Sequence, residues 1–106
     1  MSEEITDAAA AAAFRRLVKH LQHRHDAENI DLMGLAGFCR NCLADWVMEA
    51  TNEAANKTGD DMTKEEARQA IHGMAPGEWK KKYQTEATPE RLKRMKESVA
   101  KNAPSN

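Results

Sequence analysis

Apolar residues in this chain recur at spacings of three and four, and no β-branched run alternates apolar with polar, so the pattern predicts helices and no strands. Phe14, Leu17, Val18 and Leu21 fall at i, i+3, i+4 and i+7. With Thr6 placed to cap them and Asp7 in the first turn, they predict a first helix over Asp7–His23. Asp31 is a good cap for a second, long helix from Leu32 to about Ala55. At 100° per residue, Leu32, Leu35, Ala36, Cys39, Cys42, Leu43, Trp46, Val47 and Ala50 share an arc of about 140°, the expected buried face. Met33, Gly37, Ala44 and Met48 lie opposite, so this rod should be central and covered on two sides. Two glycines in one helix, Gly34 and Gly37, imply a close backbone approach, a turn-inducing irregularity, or both.

After a polar linker at 56–62, Thr63 and Glu66 have the spacing of a capping box, which starts a third helix, Lys64–His72, ended by Gly73. Pro76 suits the first position of a fourth helix running to about Gln84, with Trp79 and Tyr83 on one side. Thr88 and Pro89 open a fifth, whose stripe is Leu92, Met95 and Val99. The expected architecture is all-α: one compact domain over 1–106 with flexible ends at 1–5 and 102–106, and about five helices built on an antiparallel hairpin of the first two.

Composition changes this picture in one respect. Of the apolar residues 18 are Ala, and Leu, Ile, Val and Phe together number 14, which makes a thin core for 106 residues. A homodimer sharing part of the central helix is therefore expected, or an interface with another protein, with a monomer as the plain alternative. No stretch of about 18 apolar residues is present, and the acidic start Ser2-Glu3-Glu4 is unlike a secretory leader, so a cytoplasmic location with no membrane partner is expected. Charge is polarised: residues 1–78 hold 8 basic and 14 acidic side chains, residues 79–106 hold 8 basic and 3 acidic. The basic segment, with Lys80, Lys81, Lys82, Arg91, Lys93, Arg94 and Lys96, is poor in aromatics, so nucleic acid is not the expected partner. Pairing with the acidic body is an equal use for it.

Asn29-Ile30-Asp31-Leu32-Met33, the block Leu35-Ala36-Gly37-Phe38-Cys39-Arg40-Asn41-Cys42-Leu43 and Trp46 together resemble a family of short bacterial proteins known as domain of unknown function twelve-forty-four. His72-Gly73-Met74, Glu78-Trp79-Lys80 and Tyr83-Gln84 extend the resemblance, which covers about Phe14 to Ala87. The chain departs from the pattern at Met74-Ala75-Pro76-Gly77, where the family has Met-Pro followed directly by an aromatic residue. The resemblance implies a compact helical fold and brings no activity.

Three sets of residues carry candidate chemistry. Cys39 and Cys42 have the spacing of a zinc or redox pair. Placed inside a helix, on its buried face, they read better as core thiols than as a redox centre, and zinc would need His20 as a third ligand, an offset of about 6 Å along paired helices. His23, His25 and Asp26, with Glu28, Asn29 and Asp31 nearby, could hold another divalent cation, although Asp31 as a cap and solvated histidines explain the loop as well. Arg40 and Asn41 flank the apolar face, either as a polar network paired to Asp45, Glu49 or a partner chain, or as an anion site. Trp46 and Trp79 lie in register with apolar stripes and are expected in the core. No nucleophile with a base, acid pair or phosphate-cradling loop is present, so the sequence leans away from an enzyme and toward a helical interaction module, with metal binding next and a small anionic ligand at Arg40 last.

Overall fold

The computed structural model describes residues 4–55 and 61–102. Among them are six helices and no strands: α1 Asp7–His23, α2 Asn29–Ala36, α3 Arg40–Ala55, α4 Lys64–His72, α5 Pro76–Tyr83 and α6 Pro89–Lys101. Most of the expected linker at 56–62, and the ends at 1–3 and 103–106, lie outside the described residues.

Local chemistry accounts for the helix starts. The hydroxyl of Thr6 accepts the Ala9 N–H at 3.1 Å, and that of Thr88 accepts the Arg91 N–H at 3.2 Å. Thr63 and Glu66 form the reciprocal box, at 3.1 and 3.0 Å. Gly73, with φ +80°, closes α4 in the left-handed conformation and donates its N–H to Gln69 at 2.9 Å.

The expected long rod is broken. Gly37 has φ +75°, a conformation that costs residues with a Cβ, and its N–H closes α2 on the Met33 carbonyl at 3.0 Å. Asn102 at the end of α6 donates to the Gly37 carbonyl at 2.7 Å, which ties the turn from across the molecule. Phe38 and Cys39 follow, and α3 starts afresh with Cys39 as its cap, the Leu43 N–H bonding to the Cys39 carbonyl at 3.1 Å. The start of α2 also differs: its cap is Glu28, and Asp31 accepts the Glu28 N–H from three residues on, at 3.2 Å.

The break changes which side chains are covered, because α2 and α3 no longer share one face. Cys39 and Leu43 are buried, but Leu35 is 77% and Trp46 53% exposed. Ala44, expected on the second face, is fully buried. The hairpin of the first two helices is replaced by other pairings: α2 lies on α6, α3 on α4, and α1 and α5 each pack against α4. Leu21 from α1, Leu43 and Ala44 from α3, and Ala67 and Ile71 from α4 form the apolar core, with Phe14, Val18, Leu32 and Val47 packed around it. Gln22 fixes α1 to the end of α4 by donating to the Ala70 and Ile71 carbonyls at 3.2 Å each.

Candidate functional site

A second centre, polar and aromatic, sits beside the apolar core. Arg40 opens α3 and its side chain is completely buried. The guanidinium donates to four groups: the Leu21 carbonyl at 2.9 Å, Arg24 at 2.8 Å, Ala27 at 2.7 Å and the Asn29 side-chain oxygen at 3.0 Å. That same Asn29 oxygen also accepts the Arg40 backbone N–H at 3.3 Å, so one amide caps α3 and orients its first side chain. The partners are therefore carbonyls from the last turn of α1 and the loop after it, with the Asn29 amide, in place of the expected Asp45, Glu49 or partner-chain carboxylate. Burial lowers the Arg40 pKa from its ordinary value, but a guanidinium stays charged. With both terminal nitrogens committed, and Nε buried without a partner, Arg40 shapes the loop and does not open onto an anion.

The face of the Arg40 guanidinium lies 5.0 Å from the Trp79 ring, which is buried. His72 meets the same indole edge-on at 4.9 Å, and Tyr83 is 5.8 Å from it. Trp79 is thus in the expected interior position, whereas Trp46 stands outside, 6.3 Å from Phe38. His72 Nδ1 is 2.8 Å from the Arg68 carbonyl, one turn back, which assigns the proton to Nδ1 and leaves Nε2 as an acceptor. Burial, with Arg40 and Arg68 nearby, holds the imidazole below its usual range despite that carbonyl, so it is neutral near pH 7.

Around this centre is a cleft of about 350 Å³, lined by Asn29, Asn41, Arg68, His72, Pro76, Gly77, Trp79, Lys80 and Gln84. Five elements supply it: the start of α2, the start of α3, the last turns of α4, most of α5, and the residue that follows α5. The lining holds two basic side chains, three side-chain amides and a neutral imidazole, and no carboxylate. Two of its donors, Arg68 Nε and Trp79 Nε1, are buried without a hydrogen-bond partner. Burying a donor unpaired costs about 1–3 kcal/mol.

The other expected sites are dispersed. Asp26 is engaged by Arg24 in a two-pronged ion pair, at 2.7 and 2.8 Å, which takes its pKa down to about 2. His25 stacks on Tyr83 with ring centres 3.7 Å apart, and His23 is exposed. Among the described residues no three His, Cys, Asp or Glu side chains come together to hold a metal. The structure therefore brings His20 to neither cysteine pair nor cation site, and does not assemble His23, His25 and Asp26 into one. Cys39 and Cys42 are adjacent, 3.8 Å between sulfurs, with Cys39 buried and Cys42 half-buried. Because Cys39 caps α3, the placement inside a helix that weighed against redox chemistry does not hold; burial still pushes its thiol up.

Asn41 lines the cleft. Arg68, Lys80 and Gln84 complete it without having stood out as a set, since they share no local motif. The segments that carried the resemblance nonetheless meet here: Asn29, Asn41, His72, Trp79, Lys80 and Gln84 all line the one cleft.

Fold and cleft together define a small all-α protein with a cation- and amide-lined cavity beside a buried arginine. Residues 27–97 match the family model described as "Protein of unknown function (DUF1244)", and the chain belongs to that family. The match begins in the loop folded around Arg40 and runs into α6. No curated protein matches the chain. Among the described residues no helix is long and apolar enough to cross a membrane.

Proposed function

We propose that the protein binds a small anionic molecule in the cleft between α3, α4 and α5. The observation that carries this reading is the lining itself: Arg68 and Lys80 without a carboxylate partner among the described residues, beside Asn29, Asn41 and Gln84 and two unpaired buried N–H donors. Arg68 and Lys80 supply charge for a carboxylate or phosphate. The amides and the His72 Nε2 acceptor suit hydroxyl or amide groups on the remainder of the ligand. The volume is at the lower end of small-molecule sites, which fits a metabolite of a few functional groups. A binding role is proposed in place of a reaction, because no nucleophile with a base lines the cleft.

The test is a thermal-unfolding screen with small carboxylates, phosphate monoesters and inorganic phosphate. At least one anion should raise Tm in proportion to the logarithm of its concentration, and Arg68→Gln and Lys80→Gln should each reduce the shift. A panel of anions that leaves Tm unmoved, or a shift that survives both substitutions, would overturn the reading.

A second reading, a self-associating module, draws on the exposure of Leu35 and Trp46 on the two sides of the Gly37 turn. It predicts a solution mass near twice 11.9 kDa at micromolar concentration, reduced to the monomer by Leu35→Glu. Sedimentation of the parent as a monomer would remove it.

A further inference from the structure

The turn that interrupts the long helix brings three sulfur atoms together. Cys39 Sγ is 3.8 Å from Cys42 Sγ, and Met33 Sδ, from the last turns of α2, is 3.9 Å from Cys42 Sγ. Metal–sulfur bonds of about 2.3 Å hold sulfurs roughly 3.8 Å apart at tetrahedral angles and roughly 4.0 Å apart at trigonal ones. Both separations from Cys42 therefore match neighbouring ligands on one ion. We propose that Met33, Cys39 and Cys42 form a binding site for a soft monovalent cation, copper(I).

The donor set selects the ion. Thiolate and thioether sulfurs favour copper(I), which accepts two or three ligands, whereas zinc in a closed site takes four and has little use for a thioether. No His, Asp or Glu joins the two cysteines among the described residues, so the nitrogen and oxygen donors that would complete a zinc site are missing. Cys39 immediately precedes α3, whose dipole favours negative charge at that end and opposes the effect of burial on the thiol. Binding releases two thiol protons to solvent and changes no oxidation state. Two thiolates, one thioether and one copper(I) leave a single negative charge, and the buried Arg40 guanidinium, electrostatically coupled to Cys39, offsets it. Access is from the side of Met33, which lines a cavity of about 240 Å³ between α2 and the segment joining α5 to α6.

None of the three sulfur residues lines the anion cleft, and the test does not depend on that reading. Reduced protein is titrated with copper(I) against bicinchoninate under anaerobic conditions. The parent should withdraw one equivalent, and X-ray absorption of the loaded protein should show three sulfur neighbours. Met33→Leu should weaken binding by about tenfold or more, at least the loss that removing an outer-shell partner brings, and Cys42→Ser should abolish competition. The proposal is overturned if the parent withdraws no copper(I), if zinc(II) is held in preference, or if Met33→Leu with parental helix content binds as tightly as the parent. Should Met33→Leu not fold, the sulfur count on the parent decides, and two neighbours overturn the site.

Discussion

Arg40 carries five N–H donors on one planar group, and the chain turns back around four of them so that the Leu21 carbonyl of α1, two carbonyls of the α1–α2 loop and the Asn29 amide point inward. Any shorter or apolar side chain leaves those carbonyls buried with nothing to accept. Arg40→Met, which keeps much of the volume, should therefore cost about 3 kcal/mol or more, since each orphaned buried group costs about 1–3 kcal/mol. Chemical denaturation of the variant measures it, and a cost under about 1 kcal/mol would show that water replaces the guanidinium. The sequence marked Arg40 as a residue needing a partner, because a charge beside an apolar face requires one. It could not name the partner, since carbonyls carry no residue identity and these lie 13 to 19 positions away.

Legibility among the elements follows the range of the interactions that set them. The bounds of α1 and α4 are readable because Thr6, Thr63 and Gly73 act within one turn of their own position. The interruption at Gly37 is not readable that way: the 3.6-residue apolar period continues across it, and the side chain that ties it, Asn102, is 65 positions distant. Two glycines in a helix pointed to an irregularity without locating it. A Cβ at residue 37 would meet the Asn102 side chain and a φ of +75°, so Gly37→Ala should cost about 1–2 kcal/mol of stability. Removing the obstacle with Asn102→Ala should shrink the cost of the added methyl group. A double-mutant cycle in urea measures the coupling, and strict additivity would mean that Asn102 does not hold the turn. The same logic explains why the cleft escaped the sequence: its lining comes from five elements whose relative placement depends on that break.

For the molecule as a whole, the polarised charge has a structural use. Arg91, in the basic final segment, contacts both Glu28 and Asp31 of the acidic body, at 3.0 and 2.9 Å, and so holds α6 on α2. Glu28 also accepts the Thr85 N–H and hydroxyl, both at 2.6 Å, which secures the segment between α5 and α6. Burial would raise the Glu28 pKa, but the Thr85 bonds and Arg91 outweigh it and hold the carboxyl below its ordinary 4.5. His72 is likewise lowered from 6.5, chiefly by burial. Both shifts have the same sign: the unfolded chain binds these protons more readily than the folded one. The stability each contributes is full above its unfolded pKa and is lost as pH falls toward the folded value. Tm should therefore decline in two stages on acidification, beginning below about pH 6.5 from His72 and below about pH 4.5 from Glu28 together with Asp26 and Glu66, which are also held down. His72→Asn, which can still donate to the Arg68 carbonyl, should flatten the first stage and leave the second. Glu28→Gln should leave the first and shrink the second to the part that Asp26 and Glu66 supply, with a lower Tm near neutrality, where the parent's carboxylate still holds Thr85 and Arg91. A first stage that persists in His72→Asn would place the proton uptake elsewhere and separate the acid response from the imidazole in the cleft.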